Sequence, residues 1–137
     1  MASVWKISEA ATLALHAMVY LAAHNGRFYS TKEIAEAHNV SEAHLSKVLQ
    51  RLSKVGLVNS TRGPKGGFSL GRPAESVMLL EVYESIDGPL EATKCLLGEP
   101  VCTGACIMRD LVENVNRETQ QYLSGTSVAD VVEAYGN

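Results

Sequence analysis

The fold turns on residues 30–58, S-T-K-E-I-A-E-A-H-N-V-S-E-A-H-L-S-K-V-L-Q-R-L-S-K-V-G-L-V. Ser30, followed three residues later by Glu33, is a capping box. It satisfies two of the N–H groups that a helix start leaves without partners, and it opens a short helix through about Ala37. His38-Asn39-Val40 makes a tight turn, Ser41 caps a second helix, and Gly56 closes it. Leu45, Val48, Leu49, Leu52 and Val55 recur at helical spacing and form the predicted buried stripe. A short helix, a tight turn and a longer, basic, amphipathic helix make a helix-turn-helix.

Residues 57–61 and 68–70 are strand-like runs separated by R-G-P-K-G-G, a hairpin tip with two positive charges. A helix-turn-helix followed directly by such a hairpin is a winged helix. On the N-terminal side, residues 8–24 begin at an N-cap, Ser8, carry Glu9 in the first turn and stop at Asn25-Gly26. Apolar side chains cover most of this helix's circumference, so it packs on more than one side. On the C-terminal side, Ser76 is expected to cap a helix ended by Gly88-Pro89. Residues 107–123 read as a further helix, with Ile107, Leu111, Val112, Val115, Thr119 and Tyr122 on one face. That face needs a cover, and the economical one is a second copy related by a two-fold axis. Thr126 or Ser127 starts a last turn or two through Val132, packed back on the body. The expected architecture is mainly α with a small β-wing. Residues 1–90 form a winged helix-turn-helix domain, 91–106 a cysteine loop, and 107–137 a dimerisation helix with a C-terminal turn.

Charge is unevenly spread. Residues 41–73 carry six basic residues against Glu42 alone, a balance of +5 that leaves −8 for the remainder of a 137-residue chain of net charge −3. Field depends on local charge, so a basic segment in an acidic chain points to a polyanion partner, and on a winged helix-turn-helix that partner is expected to be double-stranded DNA. Ser41, Ala43, His44, Ser46 and Lys47 lie on the first two turns of the second helix, the part that reaches base edges, and His44 and Lys47 suit guanine N7 and O6. Arg51 lies far enough along to prefer phosphate. Arg62 and Lys65 at the hairpin tip suit a minor groove, and Ser30, Thr31 and Lys32 at a helix N-terminus suit phosphate. No nucleophile with its base, no paired carboxylates and no strand-loop-helix phosphate cradle suggests an enzyme. The first residues lack a signal-peptide layout, and a cytoplasmic location is expected.

The chain's three cysteines, Cys95, Cys102 and Cys106, fall within C-L-L-G-E-P-V-C-T-G-A-C at C-x6-C-x3-C spacing. Three is awkward, because disulfides consume thiols in pairs and a closed tetrahedral site takes four ligands. Thiolates select iron-sulfur clusters or zinc, and no histidine follows Cys95 to complete a zinc site. A reversible disulfide with one thiol left over is the metal-free alternative.

Taken together, K-I-S, A-L-H-A-M-V-Y-L-A, S-T-K-E-I-A-E, H-L-S-K-V-L-Q-R-L-S-K-V-G-L-V, R-G-P-K-G-G-F-S-L-G-R-P-A and the cysteine loop resemble the Rrf2 family of bacterial regulators, which includes the IscR- and NsrR-type iron-sulfur regulators. The resemblance implies a dimeric winged helix and a homodimeric transcription regulator, read here as a repressor sensing redox state, nitric oxide or iron-sulfur status. It further implies a cluster, [2Fe-2S] or [4Fe-4S], on Cys95, Cys102 and Cys106, with a further ligand drawn from the partner's first helix. His16 matches the family's histidine, and Glu9 lies on the same helical face. The family's carboxylate position is occupied by Thr12, and a histidine used by some members after the last cysteine is replaced by Arg109. Two other readings stay open: a metal-free thiol switch, and a winged-helix module that binds protein.

Overall fold

A computed structural model describes residues 4–91, 95–97 and 101–135. The helices are α1 (Glu9–Ala23), α2 (Thr31–His38), α3 (Glu42–Lys54), α4 (Leu79–Asp87), α5 (Leu111–Gly125) and α6 (Val128–Tyr135), with strands β1 (Val58–Thr61) and β2 (Gly67–Leu70) between α3 and α4. Each helix start in the first half has the expected local cause. Ser8 accepts the N–H of Ala11, Ser30 and Glu33 cap reciprocally, and Ser41 accepts the N–H of His44. The turn after α2 is made by Asn39 in the left-handed region at φ 53°, with the N–H of Val40 returning 3.1 Å to the Ala35 carbonyl.

α1 is the hub, packing against α3, α4 and α6. Its Ala11, Ala14, Ala17, Met18 and Leu21 meet Leu45, Leu49 and Leu52 of α3, Val82 and Ile86 of α4, and Val128 of α6 in one buried cluster. Small residues on α1 let the neighbouring helices approach closely. Each large side chain removed from water contributes about 1.5–3 kcal/mol. The strands pair antiparallel with Val58 opposite Leu70 and Thr61 opposite Gly67. A further bridge, Tyr29 to Phe68, fastens the hairpin beside the start of α2 through bonds of 2.8 and 2.9 Å. At Gly67 (φ 145°) a Cβ would lie 2.2 Å from the Tyr29 carbonyl oxygen, so only glycine permits this approach.

Four expectations are corrected. Val55 leaves the buried stripe and is 55% exposed, while Leu57 is buried. Gly56 (φ 79°) turns the chain, its N–H bonds the Ser53 carbonyl, and that of Leu57 bonds the Leu52 carbonyl, so Leu57 folds back over the helix end. Ser76 caps no α-helix; it ends a 3-10 turn, Ala74–Ser76, and α4 starts at Leu79. The intervening Val77 and Met78 are held extended by the C-terminal segment: Val128 N–H bonds the Val77 carbonyl at 2.8 Å and Leu79 N–H the Thr126 carbonyl at 2.9 Å. α5 starts at Leu111 and not at residue 107, because Arg109 sits at φ 52°, outside the right-handed helical region. Finally, α6 extends past Val132 to Tyr135, started by a reciprocal cap between Ser127 and Asp130. It shares the core of the winged helix through Val128.

Candidate DNA interface and thiol loop

A recognition helix is useful only if its first turns are offered to solvent while its other face holds it to the body. In α3, Leu45, Val48, Leu49 and Leu52 are buried, whereas Ser41, Ala43, Lys47 and Arg51 are exposed and His44 and Ser46 are half-buried. Ser46 Oγ accepts from the Gln50 side chain at 3.3 Å, and His44 Nδ1 lies 3.5 Å from a carboxylate oxygen of Glu9. Arg51 differs from the expectation of a side chain given over to phosphate. Its Nη2–H donates to the Ile86 carbonyl oxygen at the end of α4.

The wing tip and the N-terminus of α2 face one another. Arg27, Phe28, Ser30 and Glu33 on one side and Pro64, Lys65 and Gly66 on the other line a cleft of about 500 Å³. Arg62 and Lys65 are exposed at the tip; Ser30 and Thr31 are half-buried and Lys32 exposed at the helix start. The Ser30 N–H is occupied by the Glu33 carboxylate, which also places a negative charge where phosphate is expected. Arg27 offsets that charge: its guanidinium lies 3.4 Å from Glu33 and stacks 3.9 Å over the Tyr29 ring. Behind it, partial burial, followed by the nearby Tyr29 and Glu33, pushes the Tyr20 phenol above its ordinary range, so that ring stays neutral.

The three cysteines belong to the segment between α4 and α5. Cys102 is exposed, Cys95 and Cys106 are half-buried, and no disulfide joins them. The sulfurs of Cys95 and Cys106 each accept a backbone N–H from two residues ahead, Leu97 and Met108, both at 3.4 Å. N–H···S bonds of this kind are among the contacts that tune a thiolate-bound cluster. Among the described residues no three Cys, His, Asp or Glu side chains converge on one point. Thiolate is nonetheless a donor type that suits an iron-sulfur cluster.

The two first-helix candidates are placed differently. Glu9 is engaged with His44 on the DNA side. His16 is exposed and borders an otherwise apolar cleft with Leu15, Val19, Leu79, Tyr122 and Val131, between α1, α4, α5 and α6. Its Nδ1 is 2.7 Å from the Thr12 carbonyl oxygen, which can only accept, so Nδ1 carries a proton, and in the neutral tautomer with that bond the lone pair sits on Nε2. A backbone carbonyl holding the other ring nitrogen is the usual support of a metal-ligating histidine.

Against known proteins, the family model described as Rrf2, iron-dependent transcriptional regulator, matches residues 7–134. The chain belongs to the Rrf2 family. A protein of Aquifex aeolicus (strain VF5) described as an HTH-type transcriptional regulator is 31% identical over 129 residues, 91% of this chain and 90% of that protein. Among solved structures, CymR, the global cysteine regulator of B. subtilis, superposes with a TM-score of 0.79 at 26% identity, covering 96% of this chain and 98% of its own. T. potens IscR gives a TM-score of 0.74 at 26% identity over 96% of this chain and 88% of its own.

As an Rrf2-type transcriptional regulator the chain is a DNA-binding protein. Among the described residues no helix is long and apolar enough to cross a membrane. Arg27, which lines the cleft with Lys65, is a candidate that sequence reasoning missed, because its place depends on the wing folding back against α2.

Proposed function

We propose that this Rrf2 protein is a homodimeric repressor whose DNA affinity is set by the state of Cys95, Cys102 and Cys106, which hold an iron-sulfur cluster completed by His16 of the partner subunit. The observation that carries the reading is the placement of three undisulfided thiols on a segment that leaves the winged helix at α4 and enters α5. The family's description as iron-dependent supports iron over other metals. Dimerisation is supported by the uncovered face of α5, where Leu111 and Tyr122 are 52% and 56% exposed, Tyr122 lining the cleft that His16 borders. A second copy laid on that face would bring its own His16 close to the interface. When bound, the cluster supplies a centre that oxidation or nitric oxide alters. This chain's residues do the rest: the thiolates hold the loop, and the winged helix reads DNA. Domain boundaries at about residues 90 and 106 belong to the same proposal.

Anaerobic purification followed by iron and sulfide analysis with visible absorption spectroscopy tests it. Absence of both iron and colour at every stoichiometry sinks the cluster. The exposure of Cys102 favours one second reading, a metal-free switch in which two thiols give two protons and two electrons to a peroxide, leaving a disulfide and water. Alkylation and mass spectrometry before and after peroxide, with metal excluded, separates the two.

A further inference from the structure

The end of α4 meets the recognition helix in a small polar cluster. A helix C-terminus leaves carbonyls without intrahelical partners and carries partial negative charge. Ile86 has such a carbonyl, and Arg51, on the third turn of α3, donates to it at 2.5 Å. The next residue, Asp87, accepts the Ser8 hydroxyl at 2.7 Å, and the same Ser8 oxygen accepts the Ala11 N–H at 3.0 Å as the N-cap of α1. Glu9 follows Ser8 and reaches His44 on the first turn of α3. The recognition helix is thus tied at its first turn to α1 and at its third to α4, and Ser8 with Asp87 closes the frame between those two helices. Immediately beyond Asp87, Gly88 turns the chain at φ 84° and the Leu90 N–H returns to Glu84 at 2.8 Å. Cys95 lies five residues on.

We propose that Arg51 is a positioning residue and not a phosphate contact: through Ile86 and Asp87 it transmits the state of the cysteine loop to the recognition helix. This rests on the sensing function proposed above. A hydrogen bond from a guanidinium to one carbonyl is directional and short-ranged, so a shift of about 1 Å at the end of α4 either carries α3 with it or breaks the tie. On this reading the tie is either kept or broken, which is the two-state element that coupling between separated sites needs.

The test compares binding to a short DNA duplex for reduced, metal-free protein and for protein reconstituted anaerobically with ferrous iron and sulfide, each over a range of salt. Wild type should show an affinity ratio between the two states of about tenfold. Arg51→Met should bring that ratio below about twofold with its salt slope unchanged, whereas Arg51→Lys, which still donates, should keep most of it. Asp87→Ala breaks the other joint without touching a residue that faces DNA; it should also lower the ratio, and it decides the matter if Arg51→Met does not fold. A wild-type ratio retained in Arg51→Met overturns the proposal, as does an equal loss of affinity in both states with a slope lower by about 1 for each phosphate contact removed. A wild-type ratio of one overturns the sensing function, and this relay with it.

Discussion

Replacing Arg62 and Lys65 by alanine removes the two exposed cations of the wing tip, and its effect on salt dependence follows from counting charges. Each phosphate neutralised by a protein cation adds about 0.9 to the log–log slope of affinity against salt. In the proposed homodimer, two side chains from each protomer would make four such contacts, so the double variant should lose about 3.6 from the slope. Between 50 and 200 mM salt the wild type should then lose about 100-fold more affinity than the variant does. Arg72 is the control. It belongs to the same basic segment, but its guanidinium pairs with Glu81 and bonds the Ser76 carbonyl. Arg72→Ala should leave the slope where it was. Fluorescence anisotropy on a duplex of arbitrary sequence suffices, because this contribution does not depend on base contacts. A change of less than about 1 in the double variant, or an equal change in Arg72→Ala, would refute a wing that neutralises phosphate.

Further outcomes are expected from the fold. Leu52→Ala, at a fully buried position on α3, should cost about 2–5 kcal/mol by urea denaturation, whereas Val55→Ala, three residues on and largely exposed, should stay within about 0.5 kcal/mol. Ser41→Ala removes the acceptor for the His44 N–H and should lower stability by about 1 kcal/mol in the same assay. Gly67→Ala would drive a Cβ into the Tyr29 carbonyl and should unfasten the wing, visible as faster amide exchange at Phe68. Burial, with Asp87 and Glu84 adding to it, raises the Tyr83 phenol above its ordinary 10.0, so the folded chain holds this proton more tightly than the unfolded chain does. That contribution is intact below pH 10.0 and is lost as pH rises through the folded value; Tyr83→Phe should flatten the alkaline decline of the urea midpoint.

What the chain declares locally, it declares well. Ser30 with Glu33, Asn39, Ser41 and Gly56 act within four or five residues of themselves, and together they define the helix-turn-helix. Ser76 misleads for the opposite reason. Its sequence is a good cap, but the backbone of Val77 and Met78 pairs with residues 126–128, about fifty positions away, and that tertiary bond overrides the local preference. Arg109 shows the same limit: a helical pattern of apolar residues runs through it, while its left-handed backbone delays α5 to Leu111. The candidate site divides in the same way. Residues offered by the recognition helix and the wing are legible from their spacing, whereas Arg27 beside Lys65, Glu9 on His44 and Arg51 on Ile86 exist only once the elements have met.

Those long-range contacts bear on the choice of a fourth cluster ligand. Glu9 and His16 share a helical face, and the resemblance already favours His16, which matches the family's histidine. The folded chain puts the His44 imidazole of α3 3.5 Å from the Glu9 carboxylate, so ligation by Glu9 would cost that contact. His16 has no such conflict, because the Thr12 carbonyl takes the ring nitrogen that ligation does not need. It also borders the cleft beside Tyr122, on the helix whose apolar face calls for a second copy. On the proposed reading the two residues would have separate work: Glu9 contacts α3 of its own protomer, and His16 would complete the cluster of the other. A cluster ligated in that way would tie two protomers together through α1, the same helix whose N-cap is bonded to the end of α4.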